Sequence, residues 1–293
     1  MKKTRNLVIV LLSMLVSAAC SVNTAKQQQA EQTENSDEVV GFYDTETAQK
    51  ATEKTVKMYE IPAKLNGKPE KILKREGYTV SYNKTTKQPN WVAWHLTKAH
   101  TYGKNQRNES MFTPDEDVPA PRAVDNDYYN SRYDRGHMCP AGDNKWSSVA
   151  MKQSFLFSNV CPQNHGLNKN EWNDLEIMTR EWARAYGAVD VVCGPIFYGK
   201  GEQKTIGRNK VWVPDAFFKV ILCRQGDQKA IGFIMENNGK KQQLADCIYT
   251  VDEVEKVTGM DFFPALDDKV EDKVEAESDY HDWKRVDLNK YRR

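Results

Sequence analysis

The sequence predicts an α+β fold, with a central, mainly antiparallel sheet and flanking helices. Three observations lead there. Apolar segments of strand length outnumber those of helical length. They do not alternate regularly with helices, which argues against a parallel, doubly wound sheet. Two pairs of them are joined by short turns of the hairpin kind.

In chain order, 77–82 alternates well enough for a strand, 83–90 reads as a turn with Pro89 near its end, and 91–96 is the return strand. Residues 99–133 have little periodicity and many turn formers, among them Pro114, Pro119 and Pro121. A loop this long inside a domain is usually functional. The Phe-rich stretch 153–160 is a strand candidate. The clearest helix covers 168–186, where Trp172, Leu175, Met178 and Trp182 recur at helical spacing and Gly187 supplies a stop. Residues 189–196 form another strand. A hairpin over 216–222 and 230–235 turns at Gln225-Gly226-Asp227. Thr250 and Glu253 form a capping box opening a short helix that ends near Gly259. The charged tail after Leu266 reads as surface helix and coil.

The 293 residues suffice for one large domain. Residues 1–20 read as a leader. Lys2, Lys3 and Arg5 precede an apolar run from Leu7 to Val16 that is short for a membrane span. Ser17-Ala18-Ala19-Cys20 resembles a bacterial lipoprotein signal, with lipidated Cys20 as membrane anchor; an ordinary secretory signal cut near Ala19 is the alternative. Both imply export, to the outer membrane or cell surface or as a secreted protein. Residues 21–55 are polar, with Gln27-Gln28-Gln29, and read as a disordered tether. The folded domain is assigned to 56–293.

Charge is nearly balanced, 42 Lys+Arg against 41 Asp+Glu. Loss of Lys2, Lys3 and Arg5 leaves 39 against 41. No global basic field draws nucleic acid to the chain, so a nucleic-acid site must be locally basic. Export permits disulfides. Apart from Cys20 there are Cys139, Cys161, Cys193, Cys223 and Cys247, an odd number. Cys139–Cys161 and Cys223–Cys247 are conceivable pairs, with connectivity left open.

The chemistry-bearing residues concentrate between 131 and 180. His137 follows Gly136, which permits close backbone approach. A histidine is the side chain best poised to take a proton from water near neutral pH, though a lone one is more often structural. On one continuous helix, Asn168 and Glu176 would lie about 80° apart and about 12 Å along the axis. One would ligate a metal ion directly and the other hold its water. Magnesium accepts so sparse a protein ligand set. Arg180 follows Glu176 by four residues, either pairing with it or contacting phosphate. Arg107, in the long loop, is a further phosphate contact or a solvated arginine. His95 and His100, in and after a strand, read as structural.

Asp134-Arg135-Gly136-His137, Ser158-Asn159-Val160-Cys161-Pro162-Gln163, Leu167-Asn168 and 172–176 together resemble the DNA/RNA non-specific endonucleases of the ββα-metal, or His-Me finger, superfamily. Cys193-Gly194-Pro195-Ile196, 213–219 and 258–264 extend the resemblance from about Gly77 to Leu266. It implies an antiparallel sheet of about six strands, a metal-dependent endonuclease acting on DNA and RNA, and 5′-phosphate products. His137 would be the general base, and Asn168 the direct ligand of one Mg2+ (or Mn2+ or another divalent cation). Glu176 would hold the ion's water shell, and Arg135, Arg180 and Arg107 would contact phosphate. His165, where the family pattern is loose, reads as a loop residue near the site or as a support for the metal or the phosphate. A phosphodiesterase for another substrate and a non-catalytic nucleic-acid-binding lipoprotein are the rival readings.

Overall fold

The computed structural model describes residues 57–108, 111–199 and 201–291. The leader, Cys20 and the tether lie outside them. The first half of the fold holds β1 (Lys71–Lys74), β2 (Thr79–Asn83), β3 (Gln88–Thr97), α1 (Asp125–Tyr128) and β4 (Asp134–His137). Next come α2 (Ser148–Ser154), β5 (Val160–Gln163), α3 (His165–Lys169), α4 (Glu171–Tyr186) and β6 (Ala188–Ile196). The last part comprises β7 (Thr205–Ile206), β8 (Val211–Trp212), β9 (Ala216–Cys223), β10 (Lys229–Glu236), β11 (Ile248–Tyr249), α5 (Val251–Thr258) and α6 (Asp268–Ala276).

The predicted α+β class holds. The main sheet runs β1-β2-β3-β6-β9-β10-β11, and every neighbouring pair is antiparallel. It has seven strands where about six were expected; the two-residue β11 is the marginal one. Two short ribbons, β4–β5 and β7–β8, stand apart from it.

Both faces of this sheet are covered, which explains why β9 reads as an almost unbroken apolar run. All eight of its residues are buried. Side chains alternate between faces. Phe217 and Ile221 join the core under α4, with Trp172, Leu175, Met178 and Trp182. Phe218, Val220 and Leu222 join the opposite core, with Val251 and Val254 of α5 and Phe262 and Phe263. Each such side chain contributes roughly 1.5–3 kcal/mol by leaving water. Lys219 falls on the α4 face and is wholly buried. A third, smaller core forms around Phe112, Tyr128, Phe155, Phe157 and Val160 beside the β4–β5 ribbon.

Most predicted elements recur. The β2–β3 and β9–β10 hairpins are present, Gly187 ends α4 at φ 94°, and the Thr250–Glu253 capping box opens α5. Four expectations are corrected. Residues 153–160 are not a strand: Ser147 caps α2 by accepting from Val149 and Ala150 backbone N–H groups, and β5 starts only at Val160. The helix predicted over 168–186 is two helices, broken at Asn170, where ψ is −93°. All five described cysteines are buried free thiols, so neither disulfide forms. The tail is not only surface: Trp283 is buried with its ring 4.5 Å from that of Trp182, whose Nε1 donates to the Lys284 carbonyl at 2.9 Å.

Trp283→Ala is therefore expected to destabilise the fold by about 3 kcal/mol or more, the cost of emptying a buried aromatic site. Urea unfolding checks this: the midpoint falls, whereas an unchanged midpoint would mean that the tail contributes no packing.

Candidate active site

The site begins with a close approach of two chain segments. β4 and β5 pair with Gly136 opposite Cys161 and His137 opposite Val160. A side chain at Gly136 would place its Cβ 2.2 Å from Gln163 Oε1, so only glycine lets the strands meet in this way. Asn159 fixes the exit from β4. Its Oδ1 accepts from Cys139 N at 2.9 Å, and its Nδ2 donates to the carbonyls of Cys139 (2.9 Å) and Ser154 (2.7 Å).

His137 is wedged between aromatic rings, edge-on to Phe155 at 4.8 Å and tilted against Phe112 at 5.2 Å. Its Nε2 is buried and has no hydrogen-bond partner, while the ring lines the cavity described below. Burial, followed by the positive charge of Arg107, pushes the imidazole down to about 3. The ring is thus neutral at physiological pH.

Asp134 organises the facing wall. Its Oδ2 accepts from Asn168 Nδ2 at 2.8 Å and meets His165 Nδ1 at 3.0 Å. A carboxylate can take only the NH2 side of an amide, so this bond leaves Asn168 Oδ1 as an acceptor. Asn164 caps α3 by accepting from Gly166 N at 2.9 Å. Its own N–H is held by Asn237 Oδ1 at 2.7 Å, and Asn237 Nδ2 reaches the Pro162 and Pro214 carbonyls. Because the helix breaks at Asn170, Asn168 belongs to α3 and Glu176 to α4. The separation expected for one continuous helix does not apply.

Glu176 and Arg180 lie on α4 above a buried charge network. Arg180 pairs with Asp143 at 2.9 Å, not with Glu176, and Asp143 also accepts from Trp94 Nε1 at 3.1 Å. Lys219 lies beneath, its Nζ without a hydrogen-bond partner, 4.5 Å from the Trp172 ring centroid and 5.6 Å from that of Trp94. Such cation–π contacts replace part of the lost hydration. Burial pushes the Glu176 carboxyl up to about 7; Lys219 and Arg180 pull it down, and Asp143 adds to the rise. Asp143 and Lys219 were missed as electrostatic partners. The one available signal was a lone lysine inside the apolar run of β9.

Arg135 packs over Phe112 at 4.8 Å and pairs with Asp125. With Arg107 it completes the set. All six predicted residues, Arg107, Arg135, His137, Asn168, Glu176 and Arg180, line a single 610 Å³ cavity, as does His165. His95 and His100 do not: His95 Nδ1 bonds Asp190 at 2.6 Å, and His100 stacks on Trp146 at 4.4 Å. Both are structural.

A family model described as DNA/RNA non-specific endonuclease matches residues 56–269. The chain is 38% identical over 218 residues to the mitochondrial nuclease EXOG of Danio rerio, covering 68% of this chain and 64% of that protein. It is 34% identical over 205 residues to human mitochondrial endonuclease G, covering 66% and 69%. The chain spans about six-tenths of the length of the EXOG relatives it matches. A crystal structure of the EndoG/EndoGI complex aligns at TM-score 0.62 and 29% identity, over 68% of this chain and 87% of that one. The curated relatives named here are mitochondrial nucleases. That finding corrects the reading of export from a bacterial cell, whether anchored through Cys20 or secreted.

The burial of His137 has a direct readout. By 15N NMR its imidazole is expected to stay neutral from pH 8 down to about pH 4. A midpoint near 6.5 would contradict its placement between Phe112 and Phe155.

Proposed function

We propose that this chain, which belongs to the DNA/RNA non-specific endonuclease family, hydrolyses internal phosphodiester bonds of DNA and RNA and leaves 5′-phosphate ends. One observation carries the reading. A neutral histidine and an asparagine whose amide NH2 is held by Asp134 line one cavity with three arginines. A purely structural histidine or a binding groove has no need of that combination.

His137 is the general base that takes the proton from the attacking water. Its imidazole is deprotonated at neutral pH, which is the form a base requires, and its lowered proton affinity limits the driving force for the transfer. Asn168 would hold one divalent cation, Mg2+ or alternatively Mn2+, through Oδ1. The donor set fits such an ion: oxygens only, few protein ligands, and an amide whose NH2 is committed to Asp134, leaving its oxygen as an acceptor. When bound, the cation supplies Lewis-acid stabilisation of charge on the phosphate and the leaving oxygen. Glu176 accepts hydrogen bonds from water at the same wall. Arg135, Arg180 and Arg107 bind and orient phosphate oxygens through charge-assisted hydrogen bonds. Arg180 is itself held in place by Asp143.

Phosphate contacts carry no base information, which suits a substrate range spanning both sugars. An adjoining 330 Å³ cleft continues past Arg135 to Tyr128, Tyr129 and Tyr133. Tyr129 is 76% exposed there, a surface on which an unpaired base can stack whatever its identity.

Purified protein is expected to cleave supercoiled plasmid and single-stranded RNA in Mg2+ and to stop on chelation. His137→Ala should slow both by roughly 10²–10⁴-fold, the usual worth of a positioned base. Cleavage unaffected by that substitution would overturn the base assignment.

The role of Asp134 separates from that of Asn168 in a metal titration. Asp134→Ala should raise the Mg2+ concentration for half-maximal cleavage by about 10–100-fold, as loss of a group orienting a ligand does. Asn168→Ala should abolish the response. An unchanged Mg2+ requirement in both would remove Asn168 from the metal site.

A further inference from the structure

The corner between α5 and α6 lies on the face of the sheet opposite α4. Asp252 and Glu255, three residues apart on α5, share a helix face there. Glu275 arrives from α6. One carboxylate oxygen from each lies within 4.8 Å of the other two. Glu275 is only 6% exposed, and its Oε1 is buried with no hydrogen-bond partner. Glu255 Oε1 accepts from Phe262 N at 2.6 Å, which fixes its carboxylate in the corner. Among the described residues no Lys, Arg or His forms an ion pair with any of the three. A buried carboxylate lacking both a cation and a donor is costly. The arrangement lacks a positive charge.

We propose that Asp252, Glu255 and Glu275 form a second, structural cation site that takes Ca2+ and fastens α6 to α5. The donors are all carboxylate oxygens, which selects a hard cation and disfavours zinc or copper. Calcium–oxygen distances of about 2.3–2.6 Å let two ligands of one ion stand up to about 5 Å apart. Magnesium demands a stricter octahedral geometry and gives up its water reluctantly. Asp252 is exposed, so water can complete the coordination from that side. The site is independent of phosphodiester cleavage, and its consequence is stability.

The test uses the full chain carrying Asn168→Ala, so that the active-site cation does not contribute. Equilibrium dialysis with 45Ca2+ should show one bound ion, and millimolar CaCl2 should raise the melting temperature by about 5 °C, the size of shift that saturating a ligand site gives a chain of this length. Adding Glu275→Gln should remove both effects. Adding Asp252→Asn, at an exposed position where folding is safe, should weaken binding at least about tenfold by loss of one charged ligand. The proposal is overturned if the Asn168→Ala chain binds no Ca2+ at millimolar concentration. It is equally overturned if binding and the thermal shift survive both further substitutions.

Discussion

The hydrogen bond from Asn168 Nδ2 to Asp134 Oδ2 is the constraint on which the site depends. It links β4, which carries Arg135 and His137, to α3, which carries Asn168. It also commits the amide NH2 to Asp134 and leaves Oδ1 as an acceptor, because a carboxylate cannot accept from an oxygen. The strands of the β4–β5 ribbon meet only because residue 136 has no Cβ. Asn159 then pins the chain leaving His137. Ribbon pairing and the Asn159 side chain thus place His137, and one side-chain bond holds Asn168.

Around this frame the charges are arranged by burial as much as by pairing. His137 is held neutral by two phenylalanine rings, with the Arg107 charge adding to the effect. Lys219 lies under two indoles and pulls against the burial that raises Glu176. Asp143 occupies Arg180, leaving Glu176 free of that ion pair. In a cavity with low dielectric walls each of these interactions is stronger than in water.

Much of this was legible in the sequence, for identifiable reasons. β9 follows from its almost unbroken apolar run and the α4 core stripe from helical periodicity, and the ends of α4 and α5 follow from glycine at positive φ. Asp134-Arg135-Gly136-His137 and Asn168 stand out through the family resemblance rather than through residue type alone, and Asp134, Arg135, His137 and Asn168 line one cavity. The break at Asn170 could not be read, since an asparagine within an amphipathic pattern is compatible with a continuous helix until the Asn164 cap and the Asp134 contact fix α3 separately. Phe155 and Phe157 looked like strand residues; they are apolar because they wall in His137 and the small core. Asp143 gave no signal, because its partners Trp94 and Arg180 come from segments about forty to fifty residues away.

The most direct test of the central claim is anomalous diffraction at the manganese edge from a crystal soaked in Mn2+. The account predicts a peak bonded to Asn168 Oδ1 inside the cavity that His137 lines, with the Asp134–Asn168 hydrogen bond intact. Manganese bound elsewhere in the cavity with Asn168 uncoordinated, or an Asn168 amide turned with Nδ2 toward the ion, would contradict it.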